Sequence, residues 1–201
     1  MNKNISLTNQ TGQTIAELLV ACFIILIGLA AILTASISIL NTVSVSKDIV
    51  IATNLAREGL EVVRNKRDNN WLAGAIFDNG LNFGGQAKNI TKLLVNINTV
   101  NLNNFVQADS IINCEPDCVL YLSPVILYNH TLGEKTKFSR LITLTPICKK
   151  ATDFPDVDID CVQPLPGDKI GIKTESQVGW QQKSSWRIVT LREYLYDWKL
   201  P

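Results

Sequence analysis

The chain has 201 residues, enough for one ordinary domain with a hydrophobic core plus a non-globular appendage. Its 19 lysines and arginines against 18 acids give no net field that would argue for nucleic acid or an acidic substrate as partner. Hydrophobic content is an ordinary 46%, yet an unusually large share of it falls between Ile15 and Leu40.

From Leu18 to Leu33 no residue is polar (LLVACFIILIGLAAIL), and Thr34, Ser36 and Ser38 then interleave with Ala35, Ile37, Ile39 and Leu40. Counted from Ile15, the run is long enough to cross a bilayer as a helix, which takes ~20 residues for a ~30 Å hydrocarbon core. Lys3 lies on its N-terminal side, so the charge bias predicts a cytoplasmic N-terminus and an extracytoplasmic C-terminal domain. Glu17 stands at the mouth of this run, where a secretory signal carries lysine or arginine. A carboxylate costs roughly 2.5–3.5 kcal/mol at the centre of a membrane helix and less near an end, so an intramembrane acid is a functional candidate by default. The plainer reading is a helix N-terminal carboxylate resting among the headgroups and favoured by the macrodipole.

The stretch Gly12-Gln13-Thr14-Ile15-Ala16-Glu17-Leu18-Leu19-Val20-Ala21 resembles the cleavage site of type IV prepilins: a glycine, four uncharged residues, a glutamate, then an apolar helix. The resemblance implies that a prepilin peptidase cuts after Gly12 and methylates the new terminus at Gln13. It also implies that Glu17, as fifth residue of the mature chain, pairs with the terminal amine of a neighbouring subunit. Opposite charges in an apolar filament core attract where each alone is costly, so such a pair can set axial register. Family members usually begin with phenylalanine, and Gln13 in that place leans toward a minor pilin or pseudopilin. The implied partners are the peptidase, other pilin or pseudopilin subunits, and membrane lipid before assembly. The competing reading is cleavage near Leu33-Thr34-Ala35 by the ordinary signal peptidase, releasing a secreted domain.

Beyond Asn41, Ile49, Ala52, Leu55, Ala56, Gly59, Leu60 and Val63 recur at spacings of three and four, the stripe of an amphipathic helix. Lys47, Asp48, Arg57, Glu58, Glu61, Arg64 and Arg67 lie opposite, with Glu61 and Arg64 spaced for mutual support. Asn69-Asn70, with no stripe following, predicts the end of one helix over residues 14–68. Residues 54–65 (NLAREGLEVVRN) also resemble the corresponding part of minor pilins. The expected organisation is a leader at 1–12, a membrane and assembly helix at 13–42, its amphipathic continuation at 43–70 and a β-rich extracytoplasmic domain at 71–201.

Residues 72–113 are rich in asparagine and glycine and read as loops with a short strand around 93–97. Strand patterns follow at 119–122, 125–128, 138–144, 169–180 and 186–191, with turn residues Asn129 and Gly133. An antiparallel sheet packed on the amphipathic helix makes an α+β fold. The segments 138–142, 178–180, 189–191 and 194–198 are similar to the C-terminal part of minor pilins. The four tryptophans read as core, with a ligand surface as the alternative.

Cys22 lies in the apolar run, which leaves Cys114, Cys118, Cys148 and Cys161. In an exported domain four cysteines predict two disulfides, and the shortest loops join Cys114 to Cys118 and Cys148 to Cys161, one of three connectivities. Zinc on the four thiolates is the alternative, although their spacing is not that of the usual paired motif. Asp153, Asp156, Asp158 and Asp160 do not have the spacing of a calcium loop and read as a solvated acidic turn. His130 is the only histidine, and no nucleophile context or phosphate-binding loop occurs, so neither catalysis nor a cofactor or metal is expected.

Overall fold

No proline occurs before Pro116, and from residue 11 on the chain is dominated by helix-compatible residues. In a computed structural model, which describes residues 11–81, 91–95, 108–125, 127–148 and 169–197, helix α1 spans Thr11–Leu72. Six strands follow: β1 (Thr91–Leu93), β2 (Val119–Leu122), β3 (Tyr128–Asn129), β4 (Glu134–Cys148), β5 (Lys169–Gln182) and β6 (Ser185–Tyr196), with a 3₁₀ turn at Ile111–Asn113. The chain divides into two compact units, Met1–Asp48 and Ile49–Pro201.

The second unit is the α+β domain that the sequence predicts. Its sheet is antiparallel in the order β3-β2-β4-β5-β6, and β1 pairs with β4 over Ile142–Leu144, on the edge that β2 uses nearer the start of that strand. Alternation divides β4 cleanly. Phe138, Arg140, Ile142 and Leu144 face the helix, while Ser139, Leu141 and Thr143 face away.

Ala52, Leu55 and Ala56 pack on Leu120, Phe138, Val178 and Trp180, whose ring lies 5.9 Å from that of Phe138. Val63 and Trp71 pack farther along with Leu93, Leu144, Ile172 and Leu195. Helix residues 51–71 therefore run along β4 in its own direction and enter at the end of the sheet where β4 begins. A smaller cluster of Ala108, Ile111, Cys114, Cys118 and Leu141 covers part of the opposite face.

Gly59 sets the distance of the helix from the sheet. A Cβ there would lie 2.7 Å from Ile142 Cδ1 and 2.8 Å from Ser176 Oγ. The small, fully buried Thr174 and Ser176 beneath it belong to the same close approach.

Several boundaries differ from the sequence reading. The helix passes Asn69-Asn70 and stops at Leu72, because the terminating signal is Gly74. With Gly74 at φ +69°, Ala75 N–H donates to Asn70 O and Gly74 N–H to Trp71 O, the paired bonds of a Schellman turn. Asn70 is buried, and its amide donates to Phe77 O and Asn79 O, folding the next loop back on the helix.

Ile49, assigned to the buried stripe, is 44% exposed. The strand expected at 125–128 shrinks to Tyr128–Asn129, because Ser123 N–H bonds to Leu127 O and closes a turn around Pro124. β4, β5 and β6 all run longer than their apolar cores, since ladder pairing extends through polar residues at both ends.

Candidate functional site

In the first unit, every side chain from Ile15 to Ser44 is exposed, including Leu18, Phe23, Ile27, Leu33 and Leu40. It holds one helix long and apolar enough to cross a membrane, a candidate single span. Three of its hydroxyls are turned inward on the backbone. Thr34 Oγ1 donates to Ala30 O and Ala31 O, Ser36 Oγ to Ile32 O and Thr42 Oγ1 to Ser38 O, at 2.8–3.0 Å. Satisfied within the helix, these groups lose the cost an unpaired hydroxyl bears in hydrocarbon.

Glu17 is the only charged residue between Ile15 and Ser46. Its side chain is exposed, and among the described residues nothing pairs with it. A carboxylate so placed can take a hydrogen-bonded cation from outside the chain, and within lipid that cation is worth more than in water. Gly12 and Gln13 fall in the first turn of α1, where only the helical backbone is described for residues 11–14. Cys22 is a free, exposed thiol on the same helix.

In the second unit the polar chemistry gathers under the helix. Arg140 is fully buried, and its Nη1 donates to Leu55 O at 3.1 Å and to Glu58 Oε1 at 2.9 Å, while Nη2 donates to Val95 O at 2.6 Å. One guanidinium thus joins α1, β4 and the segment after β1. Burial pulls its pKa down and Glu58 opposes the shift, so Glu58 is what keeps a buried cation tolerable. Arg140 Nε, Thr174 Oγ1 and Ser176 Oγ have no hydrogen-bond partner, which fits a tight polar seam without a pocket's geometry.

Farther along, Arg64 joins Glu193 on β6 at 2.5 Å and Glu61 at 2.6 Å, the latter being the i,i+3 support that the sequence suggests. Glu193, as acceptor, raises the Arg64 pKa. Lys169 at the start of β5 meets Asp78 beyond the helix at 2.5 Å, and burial lowers its pKa against the pull of that carboxylate.

Cys114 and Cys118 form a disulfide with Cα atoms 5.4 Å apart, which removes both thiolates from any zinc site. Cys148 is also disulfide-bonded. Its expected partner Cys161 lies outside the described residues, as do Asp153, Asp156, Asp158 and Asp160. Among the described residues no group of three His, Cys, Asp or Glu side chains is placed to hold a metal. Trp71 and Trp180 are buried, with the Trp71 indole donating to Asp197 at 3.1 Å; Trp186 is half-buried and Trp198 lies outside the described residues. His130 sits partly buried beside β2. Burial, reinforced by the Arg140 charge, lowers its pKa to about 4.

The Arg140 cluster is the feature that the sequence reading missed. Its signal was parity: Arg140 alternates with Phe138 and Ile142 on the core face of a strand, where a charge requires a buried partner. Comparison with known protein families, with curated proteins and with solved structures finds no match to this chain.

Proposed function

We propose that the chain is a minor pilin or pseudopilin: a single-pass membrane precursor cut after Gly12 and assembled through α1 into a type IV pilus, a competence pilus or a type II secretion filament. The observation that carries this reading is an apolar helix segment exposed from Ile15 to Ser44 whose one charge, Glu17, lies five residues beyond Gly12. An ordinary membrane anchor needs only greasiness. A carboxylate at the mouth of the span, held at fixed distance from a new amino terminus, supplies what axial register between subunits requires. The amphipathic continuation supports the reading as well, since residues 51–71, which follow the apolar run in sequence, pack along the sheet of the domain.

Mass spectrometry of the mature protein tests the processing step. A chain starting at methylated Gln13 is the expected result, and a chain starting after Ala35 overturns it. The pairing role of Glu17 has its own test: Glu17→Ala should leave membrane insertion intact and reduce incorporation into filaments at least tenfold, roughly the ~1.4 kcal/mol that one modest charge pair supplies. Equal incorporation refutes the pairing. A processed, inserted chain that never enters filaments would instead mark a membrane-tethered binding domain.

A further inference from the structure

The two edges of the sheet are built differently. On one side the outermost strands are β3 and β1, two and three residues long, and the register between β2 and β4 shifts after Val119. On the other side β6 runs for 12 residues, and its register with β5 is unbroken from Tyr196 to Ser185. Natural sheets blunt an open edge with a short strand, a proline, a lysine or a bulge. The first edge is short and irregular, whereas β6 has none of these devices.

Main-chain geometry fixes what β6 offers. Asp197 N–H donates to Ile170 O, so the odd-numbered residues of the strand turn their main chain toward β5. Trp186, Ile188, Thr190, Arg192 and Tyr194 turn theirs outward, and among the described residues nothing bonds to those groups. Such a row is complementary to another strand.

The sequence of β6 points to a second copy of itself. Set antiparallel with Thr190 opposite Thr190, the strand places Arg187 opposite Glu193, Trp186 opposite Tyr194 and Val189 opposite Leu191, each twice by symmetry. No like charges face one another. Arg192, opposite Ile188, keeps its bond to Glu175 of its own sheet, and Glu193 keeps Arg64. Centring the pair on Ile188, Val189, Leu191 or Arg192 loses the match of Arg187 with Glu193, and the last sets Arg192 against Arg192. The register also joins outward main chain to outward main chain, which supplies about ten hydrogen bonds. It covers Ile188 and Tyr194, 43% and 42% exposed, and the half-buried Val189 and Leu191. Helix residues 51–71 lie over β4 and β5, so the two helices stand at least about 14 Å apart, beyond the about 8–10 Å at which helices pack.

We propose that β6 is a docking edge for β6 of a second copy of this chain, which joins the two sheets into one antiparallel sheet. The inference goes beyond the filament reading and does not rest on it. Helix residues 51–71 of the two copies run in opposite directions in such a pair, so it stands apart from contacts between subunits that share one filament polarity.

The test uses the full chain in detergent, in a Cys22→Ala background that removes the free thiol found among the described residues. Thr190→Cys should give a disulfide-linked dimer on mild oxidation. Ile188→Cys or Arg192→Cys alone, whose equivalents lie about 14 Å apart across the pair, should link at least tenfold less, and mixing those two should restore linkage. Thr190→Pro removes an outward N–H and no bond to β5, so analytical ultracentrifugation should show dimerisation weakened at least tenfold, with the near-ultraviolet circular dichroism unchanged. Arg187→Glu sets an acid against Glu193 and should weaken it about fivefold. A monomeric parent overturns the inference. So does equal linkage at all three cysteines, or a dimer that survives both Thr190→Pro and Arg187→Glu, the mark of association through the apolar helix.

Discussion

The Arg140 cluster makes a prediction that a surface view of the helix would miss. Glu58 lies on the polar side of the stripe and its side chain is 25% exposed, so replacing it with alanine, a better helix former, should cost nothing by propensity alone. Its carboxylate, however, is the counter-charge that the fully buried Arg140 guanidinium meets among the described residues. Removing one partner of a buried pair leaves an uncompensated charge, at a cost of about 3–5 kcal/mol; with Glu58 partly hydrated, the lower bound of ~3 kcal/mol applies. Arg140→Met removes the charge instead. It keeps most of the stem, eliminates the unpartnered Nε and leaves Val95 O without its donor, for a net cost of about 1–2 kcal/mol.

The double variant Glu58→Ala/Arg140→Met should therefore be more stable than Glu58→Ala alone, a coupling that additive surface and core effects cannot produce. Thermal unfolding in detergent, followed by near-ultraviolet circular dichroism of the buried Trp180, reads the difference. For a unit of this size ~3 kcal/mol corresponds to roughly 6–12 °C in Tm. A Glu58→Ala protein melting within about 2 °C of the parent, or a double variant no better than that single one, would refute the reasoning.

Two more outcomes follow from the packing. Burial lowers the His130 pKa from the ordinary 6.5 to about 4, so the folded state binds fewer protons than the unfolded one between those values. Stability conferred by neutral His130 is complete above pH 6.5 and is lost as pH falls toward 4, by up to ~3 kcal/mol. Tm measured from pH 7.5 to 4.5 should fall less in His130→Gln than in the parent, and parallel curves would contradict the shift. Gly59→Ala gains ~1 kcal/mol of helix propensity but drives a methyl into Ile142 and Ser176, and overpacking of this kind costs about 1–3 kcal/mol. The variant should unfold earlier in urea, with the loss growing in Gly59→Val; a stabilised Gly59→Ala would show that the helix can lift without penalty.

Much of the architecture was legible in the sequence because it rests on periodicity. Ala52, Leu55, Ala56, Leu60 and Val63 repeat at helical spacing and are buried together, and the apolar run before them admits a single membrane span. What periodicity hid were places where a residue serves the backbone or a partner distant in sequence. Gly74 ends the helix through its left-handed backbone, which no apolar pattern records. The KTESQV stretch reads poorly as a strand because Thr174 and Ser176 are small polar residues beneath Gly59, where larger apolar side chains would push the helix off the sheet. Arg140 and Glu58 are 82 residues apart, and their meeting depends on how β4 lies along α1. At the N-terminal segment the structure adds geometry to Glu17 and the hydroxyls, whereas processing and pairing are events with other molecules.

The hydroxyls of the apolar segment carry one more consequence. Thr34, Ser36 and Thr42 each return their hydrogen bond to a carbonyl one turn back, so α1 presents neither lipid nor protein with a polar demand along most of that surface. A segment of this kind can exchange acyl chains for the side chains of other helices with little net change, because both surroundings offer it dispersion contacts alone. Motion in either direction is then nearly isoenergetic, apart from the carboxylate at its mouth. In the assembly proposed above, such a helix would suit reversal: a subunit could be drawn out of the bilayer and returned to it without breaking a bond inside the helix.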